Sequence, residues 1–119
     1  MAEKQRTLKA PISFKGKGLH TGAEVTMTFL PAPDSHGYIF KRTDLPGQPL
    51  INALAENVVE TSRGTVLEEN GARVSTIEHV LASFVGMGID NVLVEVDGPE
   101  APIMDGSARE FAEAIEKTG

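Results

Sequence analysis

The chain contains no cysteine among its 119 residues, which excludes disulfides and thiolate metal ligation. Any metal these residues bind has to be held by His, Asp or Glu, and there are only three histidines, His20, His36 and His79. No apolar run approaches the about 20 residues needed to cross a bilayer. The opening residues Met1-Ala2-Glu3-Lys4-Gln5-Arg6 lack the apolar centre of a signal peptide, so a soluble, cytoplasmic protein is expected. There is no basic stripe and no cluster of basic and aromatic residues. Lys+Arg 11 against Asp+Glu 17 leaves a net charge of −6. Nucleic acid is therefore disfavoured as a partner, and an anionic substrate would be met by local cations rather than drawn in by the overall field.

What is present is the composition of a folded protein, 40% hydrophobic and 24% charged. The length predicts one domain over 1–119, with roughly two-thirds of the unfolded chain's surface buried. Thr7 to Lys15 reads as a strand interrupted near Pro11. Gly16 to Gly22 is a glycine-punctuated loop, where unusual backbone angles or close backbone approach are expected. Ala23 to Leu30 alternates, with Val25, Met27 and Phe29 on one side and Glu24, Thr26 and Thr28 on the other, a half-buried strand. Further strands are expected at Tyr38 to Arg42 and Asn91 to Val96, and Leu50 to Ala55 reads as a strand or an irregular edge. Thr65 to Glu68 and Ala72 to Val74 flank Glu69-Asn70-Gly71, an Asn-Gly hairpin signal. Helices are expected at Ser75 to Met87 and Ser107 to Lys117. Strands, helix, strand, helix is the order of an α+β layer fold.

The first helix carries the most chemistry. At about 100° per residue, Ile77, Val80, Leu81, Phe84 and Val85 form the stripe that faces the core. His79 falls nearly opposite, beside the small residues Ala82, Ser83 and Gly86, which leaves room for a ligand or a second domain. Two readings of the helix start stand side by side. Ser75 and Glu78 have capping-box spacing, in which Glu78 only satisfies a backbone N–H, and His79 is then a solvated surface residue. Alternatively, the small-residue face beside His79 suits a ligand or a second domain, although no His-Glu-x-x-His zinc motif is present. Asp105, in Pro102-Ile103-Met104-Asp105-Gly106-Ser107-Ala108, is equally a turn former or a cap beside the N-cap candidate Ser107. His20 lies between glycines in a loop, a poor place for a core histidine.

Five blocks taken together resemble one family. They are Gly18-Leu19-His20-Thr21-Gly22, Phe40-Lys41-Arg42-Thr43-Asp44-Leu45, Ser75-Thr76-Ile77-Glu78-His79, Gly88-Ile89-Asp90-Asn91 and Pro102 to Ala108. In this order they resemble the UDP-3-O-acyl-N-acetylglucosamine deacetylases of Gram-negative bacteria, over nearly the whole chain from Gln5 to Gly119. The resemblance implies a zinc-dependent hydrolase that removes the acetyl group from a UDP-linked, acylated glucosamine, the committed step of lipid A synthesis. It also implies one of two similar α+β domains packed face to face, each a two-layer sandwich with a mostly antiparallel sheet against two helices. By the same match, Glu78 is the general base that activates a zinc-bound water and His79 is the one zinc ligand of the amino-terminal domain. Asp105 is an acidic residue supporting the site. Leu19 and His20, and the stretch Thr61-Ser62-Arg63-Gly64, border the substrate pocket.

The residue types suit that chemistry. A hydrolytic zinc needs about three protein ligands and an open position for water, whose pKa falls toward about 7. A carboxylate in hydrogen-bond reach can then take its proton. By the resemblance, the other ligands, a His and an Asp four residues apart, belong to a second domain. So do a lysine beside the site, a second catalytic histidine and the insert for the acyl chain. This sequence is therefore expected to act as a first domain that lacks its second and is inactive alone. The Thr61-Ser62-Arg63-Gly64 rim departs from relatives with bulkier apolar residues or cysteine there. Gly71-Ala72-Arg73 and Gly98-Pro99-Glu100-Ala101-Pro102 look more like Bacteroidetes members, some of which are fused to an acyl-carrier dehydratase. The alternatives are a metal-free folded module used as a scaffold or interaction unit, and a self-associating form that pairs the His79 faces of two copies, since exposed apolar patches favour association.

Overall fold

The computed structural model describes residues 6–18, 21–61, 64–104 and 108–118. Among the described residues, eight strands and two α-helices follow one another as β1 (Ile12–Lys17), β2 (Glu24–Pro31), β3 (Tyr38–Arg42), β4 (Leu50–Asn52), β5 (Val58–Thr61), β6 (Gly64–Glu69), β7 (Ala72–Ser75), α1 (Glu78–Gly86), β8 (Val92–Val96) and α2 (Arg109–Thr118). The strands form a five-stranded sheet in the order β1-β2-β8-β3-β4 and a three-stranded sheet β5-β6-β7. All pairs are antiparallel except β3 with β8. The result is an α+β sandwich, as expected, with its main sheet mixed by one parallel pair.

Alternation explains the main sheet. Val25, Met27 and Phe29 of β2 are buried, as are Val92, Val94 and Val96 of β8, and they pair across the ladder as Met27–Val96 and Phe29–Val94. Against this apolar face lie α1 and α2. All five phenylalanines are buried. Phe29 packs edge-on against Phe84 of α1 at 4.8 Å between ring centroids, and Phe14 against Phe111 of α2 at 4.9 Å. Tyr38 joins this group by its ring, 5.0 Å from Phe84, and donates its hydroxyl to the Ile89 carbonyl. Burial, and after it the nearby Asp90 charge, pushes that hydroxyl above its ordinary pKa.

The Asn-Gly hairpin forms where its signal lies. Asn70 and Gly71 both take positive φ, 57° and 74°, which is the type I′ geometry that suits the twist of two adjacent strands. It joins β6 to β7, whose buried Leu67 and Val74 continue the core under the second sheet. The two sheets are tied at β4, where the Glu69 carboxylate accepts the Asn52 N–H at 2.7 Å and the Asn52 side-chain amide at 2.9 Å. Those bonds hold Glu69 below its usual range.

A second tie runs through a buried guanidinium. Arg42, 6% exposed, donates through Nε and Nη2 to both oxygens of Asp44 at 2.8 and 2.7 Å, and through Nη1 to the Arg73 carbonyl. The Arg42 hydrogen bond is the main reason the Asp44 carboxyl is lowered. A group lowered in the folded state adds stability that is complete above its unfolded value and lost as pH falls through the folded one. Thermal melts from about pH 5 to about pH 2.5 are therefore expected to show a fall that an Asp44→Asn variant lacks in part. Parallel curves for the two proteins would remove the pair from the acid response.

Several elements differ from the sequence expectation. The first strand starts after Pro11 rather than at Thr7, because proline cannot donate to a ladder. Leu50 to Ala55 divides into the short β4 and a turn of 3-10 helix at Ala55–Asn57, and the sequence reading missed β5. The first helix begins at Glu78, not Ser75, and the second runs from Arg109, the expected start Ser107 lying outside the described residues. The stripe on α1 is also turned from the one read in the sequence. Ile77, Val80 and Phe84 are buried as expected, but Val85 is 70% exposed and Ser83 is buried. The buried Ser83 hydroxyl is satisfied by donating to the Val80 carbonyl at 2.6 Å, which is how a polar residue sits on the inner face.

Candidate active site

Glu78 and His79 lie at the amino-terminal end of α1, which is reached from β7 through Thr76 and Ile77. The capping box does not form. Ser75 belongs to β7 and gives its hydroxyl to the Pro99 carbonyl at 3.2 Å, and Ile77 at the N-cap position makes no side-chain cap. The Glu78 carboxylate instead accepts the backbone N–H of Thr65, at 2.9 Å through Oε2. The Thr65 carbonyl in turn accepts the Thr76 N–H at 3.0 Å. Both main-chain groups of one residue thus fix the acid and a residue two positions before it.

Thr76 has φ 59°, in the left-handed region that a β-branched residue seldom occupies. Its hydroxyl donates to Oε2 of Glu100 at 2.8 Å, a carboxylate only 2% exposed. The other oxygen, Oε1, accepts the Thr21 N–H at 3.1 Å and the Thr21 hydroxyl at 3.3 Å. The segment around Glu100 is a strap between the strands: Glu100 bridges Ser75 and Pro102 bridges Gly18. The Ala101 N–H reaches the Ser75 carbonyl and the Ile103 N–H reaches that of Lys17. Gly18, Thr21, the start of β6, the start of α1 and the residues Glu100 to Ile103 are thereby gathered in one place.

His79 is half-buried and makes no hydrogen bond among the described residues. Its neighbours Ala82 and Gly86 are exposed, and a methyl added at Gly86 would meet nothing within 4 Å. The open face next to the imidazole is therefore real, without Ser83. Glu78 is half-buried as well. Of the other expected site residues, Leu19, His20, Ser62, Arg63 and Asp105 lie outside the described residues. Thr61 ends β5 and pairs with Gly64, and its side chain is likewise outside the description. His36 takes no part; it sits before β3 with Nδ1 at 2.9 Å from the Gly37 carbonyl, to which it donates.

The family model for UDP-3-O-acyl N-acetylglycosamine deacetylase matches residues 5–119. The chain belongs to this deacetylase family. Among curated relatives, the Bifunctional enzyme LpxC/FabZ of Bacteroides thetaiotaomicron is 58% identical over 116 residues, which is 98% of this chain and 25% of that protein. The same-named protein of Porphyromonas gingivalis is 52% identical, again over 98% of this chain and 25% of the relative. The UDP-3-O-acyl-N-acetylglucosamine deacetylase of Myxococcus xanthus is 56% identical over 97% of this chain and 37% of its own length. The chain thus spans a quarter to little more than a third of the deacetylases it matches.

Sequence reasoning missed Thr65 and Glu100 in this deacetylase fold. A backbone N–H leaves no trace in composition. Glu100, set in Pro99-Glu100-Ala101-Pro102, reads as a solvated loop residue; the signal that could have found it is the flanking prolines, which stiffen a strap able to bury what it carries.

Proposed function

We propose that these residues form one wall of the active site of an enzyme that removes the acetyl group from a UDP-linked, 3-O-acylated N-acetylglucosamine in lipid A synthesis. What supports this is the Glu78 carboxylate held by the Thr65 N–H, next in sequence to a half-buried histidine whose ring is not committed among the described residues. The relatives' names supply the substrate, and the residues fit the reaction. Among the described residues no helix is long and apolar enough to cross a membrane, and we place the reaction in the cytoplasm.

The donor set fits a metal only in part. No group of three or more His, Asp or Glu able to hold an ion occurs among the described residues, and His79 supplies one ring nitrogen. We infer that the remaining donors lie elsewhere in the longer protein, on a second domain that covers the face carrying Ala82, Val85 and Gly86. The metal of the reading is Zn2+, which when bound supplies Lewis acidity toward a water and the amide carbonyl. Glu78 takes a proton from the water as its oxygen bonds to the acetyl carbon. It then delivers that proton to the sugar nitrogen as the C–N bond breaks, releasing acetate and the free amine. Fixing the carboxylate through the main chain lets it act without reorganising first.

A polypeptide restricted to these 119 residues is expected to bind Zn2+ at micromolar affinity or weaker and to release no acetate from the UDP-sugar, whereas the longer protein releases it. Isothermal titration and an acetate-release assay check both. Nanomolar, stoichiometric zinc in the short polypeptide would mean that these residues complete a site, unless light scattering shows that zinc pairs two copies. The pairing is favoured by Val85, exposed at 70% on the same helix. An inactive longer protein would end the deacetylase reading.

A further inference from the structure

Glu100 is the group the reaction scheme does not use. Carboxylates are almost never fully buried unless paired, and this one is 2% exposed with donors from two segments far apart in sequence: the Thr21 N–H and hydroxyl on Oε1, and the Thr76 hydroxyl on Oε2. The glycine loop is shaped to it. A Cβ at Gly18 would come within 2.2 Å of Oε1, so the carboxylate occupies the space that only glycine leaves at that position. On its other side the carboxylate holds Thr76, whose φ of 59° is costly for a β-branched residue and persists only when its surroundings impose it. Two residues later α1 opens with Glu78.

We propose that Glu100 is a positioning residue for the deacetylase: it clamps the left-handed Thr76 to the glycine loop and so sets where α1 begins and where the Glu78 carboxylate stands. The proposal rests on the function argued above for Glu78, but its structural half stands without it. The path is short. Glu100 fixes the Thr76 hydroxyl, the Thr76 N–H is bound by the Thr65 carbonyl at 3.0 Å, and the Thr65 N–H is bound by Glu78 at 2.9 Å. Releasing the first of these bonds frees a strained residue to relax, and the last is what the relaxation breaks. Thr21, held by the same carboxylate, is released with it.

The test compares Glu100→Ala with Glu100→Gln. The glutamine keeps the shape: its carbonyl still accepts from Thr21, and its amide donates to the Thr76 oxygen once that hydroxyl turns. Amide hydrogen exchange of the chain is read at Thr65 and Thr76 against the β2–β8 ladder. In Glu100→Ala the two reporter amides are expected to exchange about tenfold faster relative to the ladder, and in Glu100→Gln to stay near the parent. Reporters that do not move, or that move only in step with the ladder, would overturn the clamp. In the longer protein, Glu100→Ala is expected to lower kcat by about tenfold with KM within about twofold, and Glu100→Gln to recover most of it. A loss confined to KM, or a glutamine variant as poor as the alanine one, would overturn the positioning role. If the unsubstituted protein has no deacetylase activity, the proposed function fails, while the exchange comparison still decides whether Glu100 sets the helix start.

Discussion

Replacing Glu78 by Gln in the protein that carries this chain is expected to lower deacetylation by about 10²–10⁴-fold, the range a positioned general base contributes. The substitution is chosen to isolate the proton. Glutamine has the same length, and its carbonyl oxygen can still accept the Thr65 N–H that Glu78 accepts at 2.9 Å, so α1 should keep its start. What glutamine cannot do is take a proton from water. The loss should therefore fall on kcat, with KM little changed, because the carboxylate works on the transition state rather than on binding. Steady-state kinetics on the UDP-sugar decides it. Activity within about threefold of the parent would remove Glu78 from the chemistry and leave it a fastener between α1 and β6.

The second large effect is on stability. Phe84→Ala is expected to cost about 3–5 kcal/mol, as truncation of a buried aromatic ring does. Phe84 is fully buried and in ring contact with both Phe29 and Tyr38. Its loss opens a hole between α1 and the middle of the main sheet. That is a large part of the stability of a small domain, so urea denaturation should show a marked fall in midpoint. Val85→Ala is the control. Val85 lies one residue further along α1 but is 70% exposed, and its truncation is expected to cost about 0.5 kcal/mol or less. Equal costs for the two would mean that α1 is turned as the sequence stripe alone suggests, with Val85 against the sheet.

That pair of residues shows where sequence reading succeeds and where it stops. Strands such as β2 and β8 are legible because a period of two leaves no choice of face: once Met27 and Phe29 are inside, Val25 is too. The Asn70-Gly71 hairpin is legible because the turn demands positive φ at both residues and the sequence offers the two best suited. A nine-residue helix constrains its own rotation far less. Its apolar residues cover more than half its circumference, so propensity could not decide between Val85 and Ser83 for the inner face. The decision came from tertiary packing, in which a hydroxyl that bonds its own helix is an acceptable core group and a second β-branched side chain is unnecessary. The site divides in the same way. Glu78 and His79 are singled out in the sequence only through resemblance. Their support is not, since Thr65 acts by its backbone and Glu100 by being buried in a stretch that reads as a loop.

The hold on Glu78 has a consequence for how this protein can vary. The tether is an amide hydrogen, and every amino acid except proline brings the same one to position 65. Drift in the side chain there, short of proline, leaves the Glu78 carboxylate its hydrogen bond, so this strand position can change identity without unfastening the helix start.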